Sequence, residues 1–210
     1  VHLHYAATAF KERSLLAWLG RSLRLRDNSG KVDDIHALCD VSVEIRQGER
    51  VGLLGHNGAG KSTLLKAVAG LYPISAGRID VQGELRALFN LGLGFEPDAT
   101  GRENILYRGL LLGETPATMR AKEAEIVDFA GLGEFIDYPI KTYSAGMQVR
   151  LAFAISTAVS GAILLLDEVI GAGDAAFMAK AKRRVSDLIE ASEILVLASH
   201  DFGSLSALSD

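Results

Sequence analysis

A segment of nine residues has the residue types and spacing of a loop that binds phosphate groups. It fits the pattern G-x-x-x-x-G-K-[ST] and consists of Gly55, His56, Asn57, Gly58, Ala59, Gly60, Lys61, Ser62 and Thr63. Its glycines let backbone N–H groups converge on phosphate oxygens without Cβ clashes. Lys61 can reach the β- and γ-phosphates of a nucleotide, and the Ser62 hydroxyl can bind Mg²⁺. The segment therefore predicts a site for a nucleoside triphosphate and its metal ion.

Two acidic residues and a histidine follow apolar runs farther along the chain. Asp167 and Glu168 end the run 162–166, which is typical of a strand buried on both faces of a parallel sheet. We expect Asp167 to hold Mg²⁺ opposite Ser62 and Glu168 to activate the attacking water as a general base. His200 ends a later apolar run, and it either has a structural role or orients that water beside the γ-phosphate.

A second anion site is predicted at the start of a helix over residues 143–159. Small residues at a helix N-terminus leave backbone N–H groups open to an anion, and the residues in question are Ser144, Ala145, Gly146 and Met147. One chain cannot easily apply this site and the phosphate loop to the same γ-phosphate. We therefore expect a head-to-tail homodimer, in which each chain lends this segment to the nucleotide of the other.

The elements around these residues alternate between strands and helices. Apolar runs and alternating patterns predict strands, and apolar residues at helical spacing predict helices. The predicted strands span 1–5, 37–45, 50–54, 78–83, 85–89, 162–168 and 194–200, and the predicted helices span 63–69, 100–133, 143–159 and 179–191. Such alternation implies a mostly parallel sheet that binds ligands at the carboxyl ends of its strands.

Composition excludes several classes of protein. The chain has 210 residues, of which 49% are hydrophobic, enough for one domain with a full core. Its net charge of −4 argues against a basic surface for nucleic acid. The single cysteine, Cys39, excludes an internal disulfide and a cysteine metal cluster, and we expect it to be buried. No apolar run approaches the ~20 residues that span a bilayer, and we expect no signal peptide.

The beginning of the chain predicts a short amphipathic helix at 10–19, followed by a basic segment at 21–26. This segment either lies exposed on the surface or contacts a partner chain or a membrane face. Because the chain starts without methionine and stops soon after His200, we expect it to be part of a longer protein.

Together, these motifs resemble those of the nucleotide-binding subunit of an ABC transporter. The phosphate loop matches Walker A, and residues 164–168 match Walker B with the catalytic glutamate. Residues 143–147 resemble the signature L-S-G-G-Q, with Tyr, Ala and Met as departures. Residues 171–174, which end in Asp174, resemble the D-loop, and 199–201 resemble the H-loop.

The resemblance covers about residues 35–208 and implies both the fold and the cofactors. The fold would be α/β, an ABC ATPase fold with a P-loop NTPase-type mostly parallel sheet, an antiparallel β subdomain and a helical subdomain at about 97–158. Residues 1–210 would form a single domain, with any C-terminal extension beyond this chain. The protein would bind ATP and Mg²⁺, and Asp174 would lie near the dimer axis and link the two sites.

Three local runs are similar to those of polysaccharide exporters. Residues 94–105 are similar to the run G-F-x-P-x-x-T-G-R-E-N-I, 143–153 to the signature helix, and 167–174 to the run D-E-V-L-A-V-G-D of that subgroup. The subgroup exports O-antigen, capsular polysaccharide, teichoic acid or galactan. The resemblance implies an integral membrane permease as partner, docked beside residues 90–100 at Phe95, and a peripheral position on the cytoplasmic face of the bacterial inner membrane.

Two positions leave alternatives open. Most ABC ATPases have a glutamine after the strand predicted at 85–89, where Asn90 stands here. Asn90 is the third metal candidate, although its shorter side chain offers Mg²⁺ or water only one carbonyl oxygen. We expect Tyr5 to stack on adenine, because it lies near the first strand, with Phe10 as the alternative; either residue could equally belong to the core.

Two other functions are alternatives to a motor subunit. A soluble ABC-type ATPase not coupled to transport would act on ribosomes or DNA, but the chain has no tandem cassette, no coiled-coil insertion and no basic surface. A nucleotide-binding regulator without turnover conflicts with the presence of Glu168 and His200.

Overall fold

The computed structural model describes residues 1–6, 34–89, 94–167 and 175–199. The chain divides into two compact units, the first made of Val1–Val43 and Gly58–Asp80 and the second of Glu44–Asn57 and Val81–Asp210. The boundary falls inside the phosphate loop, between Asn57 and Gly58. The single domain over 1–210 and its helical subdomain at about 97–158 stay predictions.

The first unit contains an antiparallel strand pair and one helix. Strand β1 (Leu3–Ala6) pairs with β2 (Asp34–Leu38), and helix α1 spans Lys61–Val68. Leu3, Leu38 and Ala67 form a small buried core. The predicted antiparallel β part is thus confirmed.

Three expectations for this part of the chain are wrong. β2 ends at Leu38 instead of running on as predicted, because Asp40 adopts a left-handed φ of 49° that a strand does not accommodate. Residues 78–83 form no strand, and Val81 is exposed, because an alternating pattern forms a strand only beside a neighbour that supplies hydrogen bonds. Cys39 is exposed, since it follows the end of β2.

The second unit is built on a parallel sheet. Its described strands are β3 (Arg50–Leu54), β4 (Leu85–Leu88), β5 (Ile163–Asp167) and β6 (Ile194–Ser199). They lie in the order β3-β6-β5-β4, all parallel. The two middle strands, β5 and β6, are almost entirely buried, as their unbroken apolar runs predict. The expected mostly parallel α/β sheet is confirmed.

Four α-helices of the second unit are described. They are α2 (Gly101–Leu111), α3 (Pro116–Ala130), α4 (Ala145–Thr157) and α5 (Ala175–Ala191). The helical region predicted at 100–133 divides in two because Gly113 has a φ of 85° and Pro116 opens α3 after its N-cap, Thr115. Two short 3₁₀ helices, Gly133–Asp137 and Ile140–Thr142, connect α3 to α4. Among the helices that the structure describes, none is long and apolar enough to cross a membrane.

Helix α4 is the centre of the core that joins these helices to the sheet. It is buried over seven consecutive residues, 151–157, so it is enclosed on every side. Phe153 and Ile155 belong to the same buried cluster as Ile126 of α3 and Leu164 of β5. Full burial of each such side chain stabilises the fold by about 1.5–3 kcal/mol.

The start of α2 is held by polar contacts within the 94–105 run. The Thr100 hydroxyl accepts a hydrogen bond from the Glu103 N–H, and the Glu103 carboxylate accepts one from the Thr100 N–H. This reciprocal pair caps the helix. Asn104 is fully buried and accepts a hydrogen bond from the Glu96 N–H at 2.7 Å. Its amide also donates to the carbonyl oxygens of Glu96, Ala99 and Thr100, so it closes the loop before α2.

We expect Gly101→Ala to destabilise the protein. A Cβ at Gly101 would lie 2.3 Å from the Tyr143 hydroxyl oxygen and 2.9 Å from the Ile136 carbonyl oxygen, and such overpacking costs about 1–3 kcal/mol. Chemical denaturation measures the loss of unfolding free energy. The matched control is Gly146→Ala, also in a first helical turn, where the nearest atom is 3.9 Å away. There stability should stay the same or rise by up to about 1 kcal/mol, and equal stability of both variants would contradict the packing.

Candidate functional site

The phosphate loop runs from the end of β3 to the start of α1, as the sequence predicts. Gly58 and Gly60 have φ values of 86° and 87°, a conformation that other residues rarely adopt. Within the first unit, a Cβ at Gly60 would also lie 2.9 Å from the Ala37 carbonyl oxygen. Two constraints therefore demand glycine at residue 60, the left-handed backbone and the close approach of β2.

Helix α1 begins at Lys61 and directs its N-terminus into the loop. Its N-cap is Gly60, which has no side chain to cap the helix, and the first N–H groups of a helix have no partner within it. The first turn carries no acidic side chain in its sequence. Since a helix N-terminus also bears a partial positive charge, this end of α1 suits phosphate oxygens, and Lys61 adds a formal positive charge.

The parallel register aligns the carboxyl ends of three strands. Leu54 of β3 lies opposite Ser199 of β6, and Asp167 of β5 lies opposite Ala198 of β6. Neighbouring strands are about 4.8 Å apart, so β3 and β5, on either side of β6, end roughly 10 Å from each other. Ligands of open α/β sheets bind at this edge.

Each described strand of this sheet ends close to a predicted site residue. Gly55 follows β3, Asp167 is the last residue of β5, and β6 ends immediately before His200. β4 ends at Leu88, two positions before Asn90. Four predicted site residues themselves lie outside the described residues, so their roles stay predictions: Asn90, Glu168, Asp174 and His200.

The adenine-stacking residue also stays a prediction. Tyr5 belongs to β1, where its backbone lies opposite Ile35, but its side chain is outside the part that the structure describes. Phe10 is outside it altogether.

The predicted metal ligands are oxygen donors and not a preformed cluster. In the described part of the chain, no three His, Cys, Asp or Glu side chains are grouped to hold a metal ion. Mg²⁺ in a nucleotide site needs no such cluster, because it keeps waters and binds phosphates with one or two protein oxygens. The Ser62 hydroxyl and the Asp167 carboxylate are donors of this kind, so their chemistry fits Mg²⁺.

The predicted second anion site opens α4. Ser144 is the N-cap, and its hydroxyl accepts a hydrogen bond from the Met147 N–H at 3.3 Å. Ala145 and Gly146 are exposed in the first turn, whose sequence contains no acid. Ser144 therefore has a structural task in its own chain, in addition to the predicted contact with the nucleotide of a partner.

Tyr143 gives a physical reason for one departure from the signature pattern. Its side chain is buried, and its hydroxyl donates a hydrogen bond to the Phe135 carbonyl oxygen. Burial, aided by the negative charge of Asp137, raises the pKa of this hydroxyl, which keeps it a donor. A leucine at this position would fill the space but leave that carbonyl without the bond.

Arg108 is a buried residue that the sequence patterns did not single out. Its guanidinium lies 4.7 Å from the centre of the Phe95 ring, and its Nη2 is 3.4 Å from the Ser156 hydroxyl of α4. Burial lowers the pKa of Arg108 to about 10, so it remains charged at neutral pH. An arginine on a helix usually faces solvent, and therefore no local pattern reveals this contact. Phe95, predicted to dock a permease, is half-buried against the core.

The fold and the site define a P-loop ATPase of the α/β class. A glycine-rich loop joins a parallel strand to a helix N-terminus, and an aspartate ends a second strand of the same sheet. This combination is typical of enzymes that bind nucleoside triphosphates and transfer or cleave their phosphates.

Comparison with known proteins makes the assignment more specific. The family model for the ABC transporter matches residues 38–171. The chain is 45% identical over 197 residues to the O-antigen export system ATP-binding protein RfbE of Yersinia enterocolitica, covering 94% of this chain and 82% of that protein. It is 36% identical to the teichoic acids export ATP-binding protein TagH of Lactococcus lactis, covering 85% of this chain and 38% of that protein. A dimeric ATP-binding cassette bound to ADP and Pi in a post-hydrolysis state superposes with a TM-score of 0.65 at 23% identity, covering 88% of this chain and 87% of that one.

This chain belongs to the ABC transporter family. The expected resemblance to ATP-binding subunits of polysaccharide exporters is confirmed, and so is the expected ABC ATPase fold. The share of each relative that the chain spans varies: it is 82% of the Yersinia protein, 44% of the O-antigen export system ATP-binding protein RfbB of Myxococcus xanthus and 38% of the Lactococcus protein.

We expect Lys61→Ala to weaken ATP binding by about 10- to 100-fold, because it removes a charged hydrogen-bond donor from the phosphates. Isothermal calorimetry with ATP and Mg²⁺ measures the dissociation constant. The matched control is Lys66→Ala on the same helix, where the lysine lies 5.5 Å from the Tyr72 ring instead of in the first turn. Both variants should unfold at a similar temperature. An unchanged dissociation constant for Lys61→Ala would mean that the loop is not the nucleotide site.

Proposed function

We propose that this chain is the ATP-binding and ATP-hydrolysing motor subunit of an ABC exporter that moves a polysaccharide across the cytoplasmic membrane. The observation that carries the proposal is the alignment of the ends of β3, β6 and β5 at one edge of the sheet. These ends lead into the phosphate loop, the predicted histidine and the predicted pair of acids. The relatives support the cargo, since their names specify export of O-antigen and of teichoic acids, which are cell-surface glycopolymers.

The chemistry proposed for the site is hydrolysis of the γ-phosphate of ATP. Backbone N–H groups of the loop and of the start of α1 bind the phosphates, and Lys61 balances their charge. Ser62 and Asp167 would hold Mg²⁺, which would supply positive charge to the phosphates when bound. Glu168 accepts a proton from water as the water oxygen attacks phosphorus and the bond to the ADP oxygen breaks. His200 orients that water.

A complete site requires two chains. The start of α4 offers backbone N–H groups and no acid, which suits the γ-phosphate of a nucleotide held by another chain. In a two-fold symmetric dimer each such contact occurs twice, with Asp174 near the axis. The similarity to a dimeric cassette supports this arrangement. ATP then joins the two chains, and hydrolysis loosens them by removing the γ-phosphate that both contact.

The motor acts on an integral membrane permease at the cytoplasmic face of the bacterial inner membrane, where this chain is peripheral. The segment beside Phe95 is the proposed docking place, because it follows the end of β4 and leads into α2. The contacts of Phe95 with Arg108 and with the core connect this segment to α4. A displacement of the docking segment is therefore transmitted to α4, the helix that starts at Ser144.

We expect Glu168→Gln to bind ATP with Mg²⁺ but to hydrolyse it about 10²–10⁴ times more slowly, as loss of a general base commonly does. Phosphate release by the purified protein measures the rate. Glu190→Gln, the same substitution at an exposed position of α5, is the control and should hydrolyse normally. Near-normal turnover by Glu168→Gln would remove this residue from the role.

The same variant separates export from a soluble ATPase function. In cells whose only copy of the gene carries Glu168→Gln, surface polysaccharide should disappear, while cells with Glu190→Gln keep it. Normal surface polysaccharide in the first strain would favour an ATPase that is not coupled to transport.

We expect Glu168→Gln protein to be a monomer without nucleotide and a dimer with ATP and Mg²⁺, as sedimentation velocity will show. Adding Ser144→Arg should abolish the dimer without weakening ATP binding by one chain, because this segment acts on the nucleotide of the partner. Since Ser144 also caps α4, the matched control is Thr115→Arg, which removes the side-chain cap of α3 in the same way. That control should still dimerise. A dimer that survives Ser144→Arg would rule out the shared site.

A further inference from the structure

Arg86 is a residue of β4 whose side chain binds three other parts of the second unit. This side chain is only 18% exposed. Its Nε donates a hydrogen bond to the Ser160 carbonyl oxygen at 3.2 Å, and its Nη1 donates one to the Leu112 carbonyl oxygen at 2.9 Å. Its Nη2 donates to Oε1 of Glu114 at 3.4 Å. One guanidinium therefore joins the sheet to three points outside it.

These three points lie where two helices end. Leu112 is the C-cap of α2, and Ser160 comes two residues after Ala158, the C-cap of α4. Glu114 lies between α2 and α3. The last carbonyl groups of a helix lack partners within it and carry partial negative charge, which a cation stabilises. Helices α2 and α4 therefore both end against one side chain of the sheet, that of Arg86.

Gly161 permits the close approach on which these contacts depend. A Cβ at Gly161 would lie 2.5 Å from Cγ of Arg86 and 2.8 Å from the Glu84 carbonyl oxygen. The same Glu84 oxygen accepts a hydrogen bond from the Ile163 N–H at 3.0 Å, where β5 begins. The chain that leaves α4 thus passes directly over the start of β4, and only glycine leaves room there for the Arg86 side chain.

The contacts need the shape of arginine and not only its charge. A guanidinium is planar and its donors point in fixed directions, so one side chain binds several acceptors at set angles. Glu114 is only 14% exposed and supplies the opposite charge, so the cation is shielded from water without being unpaired. An apolar side chain of similar length would fill the same space, but it would hold neither helix end.

The opposite end of α4 carries the second anion site. This helix begins after Ser144 and, at 1.5 Å per residue, extends about 20 Å from there towards Arg86. A rotation of about 5° around the end near Arg86 would therefore move Ser144 by roughly 2 Å. Because misplacement by roughly 1 Å can cost about 100-fold in activity, the attachment of the far end matters for the anion site.

Two-fold symmetry makes the position of Ser144 critical. We call the edge of the sheet where β3, β6 and β5 end the nucleotide edge. In the proposed dimer each contact occurs twice, so both sites close together only if each chain holds Ser144 at one distance from its own nucleotide edge. The register of the strands fixes that edge. The apolar packing of α4 is non-directional, whereas the hydrogen bonds of Arg86 are directional.

We propose that Arg86 is a positioning residue that fixes the start of α4 relative to the nucleotide edge, so that two chains can close both ATP sites at once. This inference rests on the proposed function, since it needs the dimer joined by nucleotide. Arg86 acts through the ends of α2 and α4 and not by contact with the reacting atoms.

The first measurement needs one chain only. Spin labels are attached at Glu134→Cys, before α4, and at Glu190→Cys, near the end of α5, both exposed positions, with Cys39→Ser to remove the exposed native thiol. Pulsed electron paramagnetic resonance gives the distribution of distances between the labels. Arg86→Met should shift or widen this distribution by roughly 2 Å or more. The matched control is Arg120→Met, an exposed arginine of α3, which should leave it unchanged.

The second measurement compares dimerisation with nucleotide binding in the Glu168→Gln background. Sedimentation with ATP and Mg²⁺ gives the dimer dissociation constant. Calorimetry with ADP, which lacks the γ-phosphate that joins the chains, gives the nucleotide affinity of one chain. Arg86→Met should weaken the dimer about tenfold or more, while ADP affinity stays within about twofold. Arg86→Lys keeps the charge but not the planar fork, so it should restore only part of the loss.

Three results would overturn the positioning role of Arg86. They are an unchanged distribution of label distances in Arg86→Met, a dimer constant equal to that of Arg120→Met, and a parallel loss of ADP affinity, which points to general destabilisation. Should Arg86→Met fail to fold, Arg86→Lys carries both measurements. If the parent Glu168→Gln protein does not dimerise with ATP, the shared site itself fails and this inference fails with it, whereas a normal parent dimer with any of the three results rejects this inference alone.

Discussion

The parallel hydrogen-bonded register of β3, β6, β5 and β4 is the constraint on which the site depends. It brings the end of β3 opposite Ser199 and the end of β5 opposite Ala198, although these residues are far apart in the chain. A slip of one residue would move every side chain of a strand to the other face of the sheet. Because the middle strands are buried on both faces, polar residues are tolerated only where the strands end. Burial of the apolar runs therefore directs the polar chemistry to one edge.

The run at 94–105 owes its residue types to local structure. Thr100 and Glu103 cap α2, Asn104 closes the preceding loop, and Gly101 leaves room for the Tyr143 hydroxyl. Arg102 pairs with Asp137 and Glu123 at the surface, where ion pairs contribute little to stability. The run 94–105, which resembles those of polysaccharide exporters, thus fixes the start of α2 against the 3₁₀ segment before α4.

The two helix N-termini assigned to phosphates differ in how they are capped. The N-cap of α1 is Gly60, which has no side chain to cap the helix. In α4, the Ser144 hydroxyl already accepts from the Met147 N–H at 3.3 Å.

The sequence by itself determined the phosphate loop, the strands that lead to Gly55, Asp167 and His200, and the α/β class, because these signals lie within short segments. The sequence predicted a strand β2 that is too long, because the alternating pattern does not show that Asp40 turns the chain. It also predicted a strand at 78–83 that does not form, because alternation cannot show whether a neighbouring strand is present. The sequence also predicted that Cys39 is buried. The residue is exposed, because its environment depends on where β2 ends. Only the tertiary structure decided the contacts of Asn104, Tyr143, Arg108 and Arg150. Arg150 binds carbonyls 19 and 20 residues away, and Lys180 binds one 51 residues away. Which partners face such side chains depends on how the helices pack, and no local pattern encodes that packing.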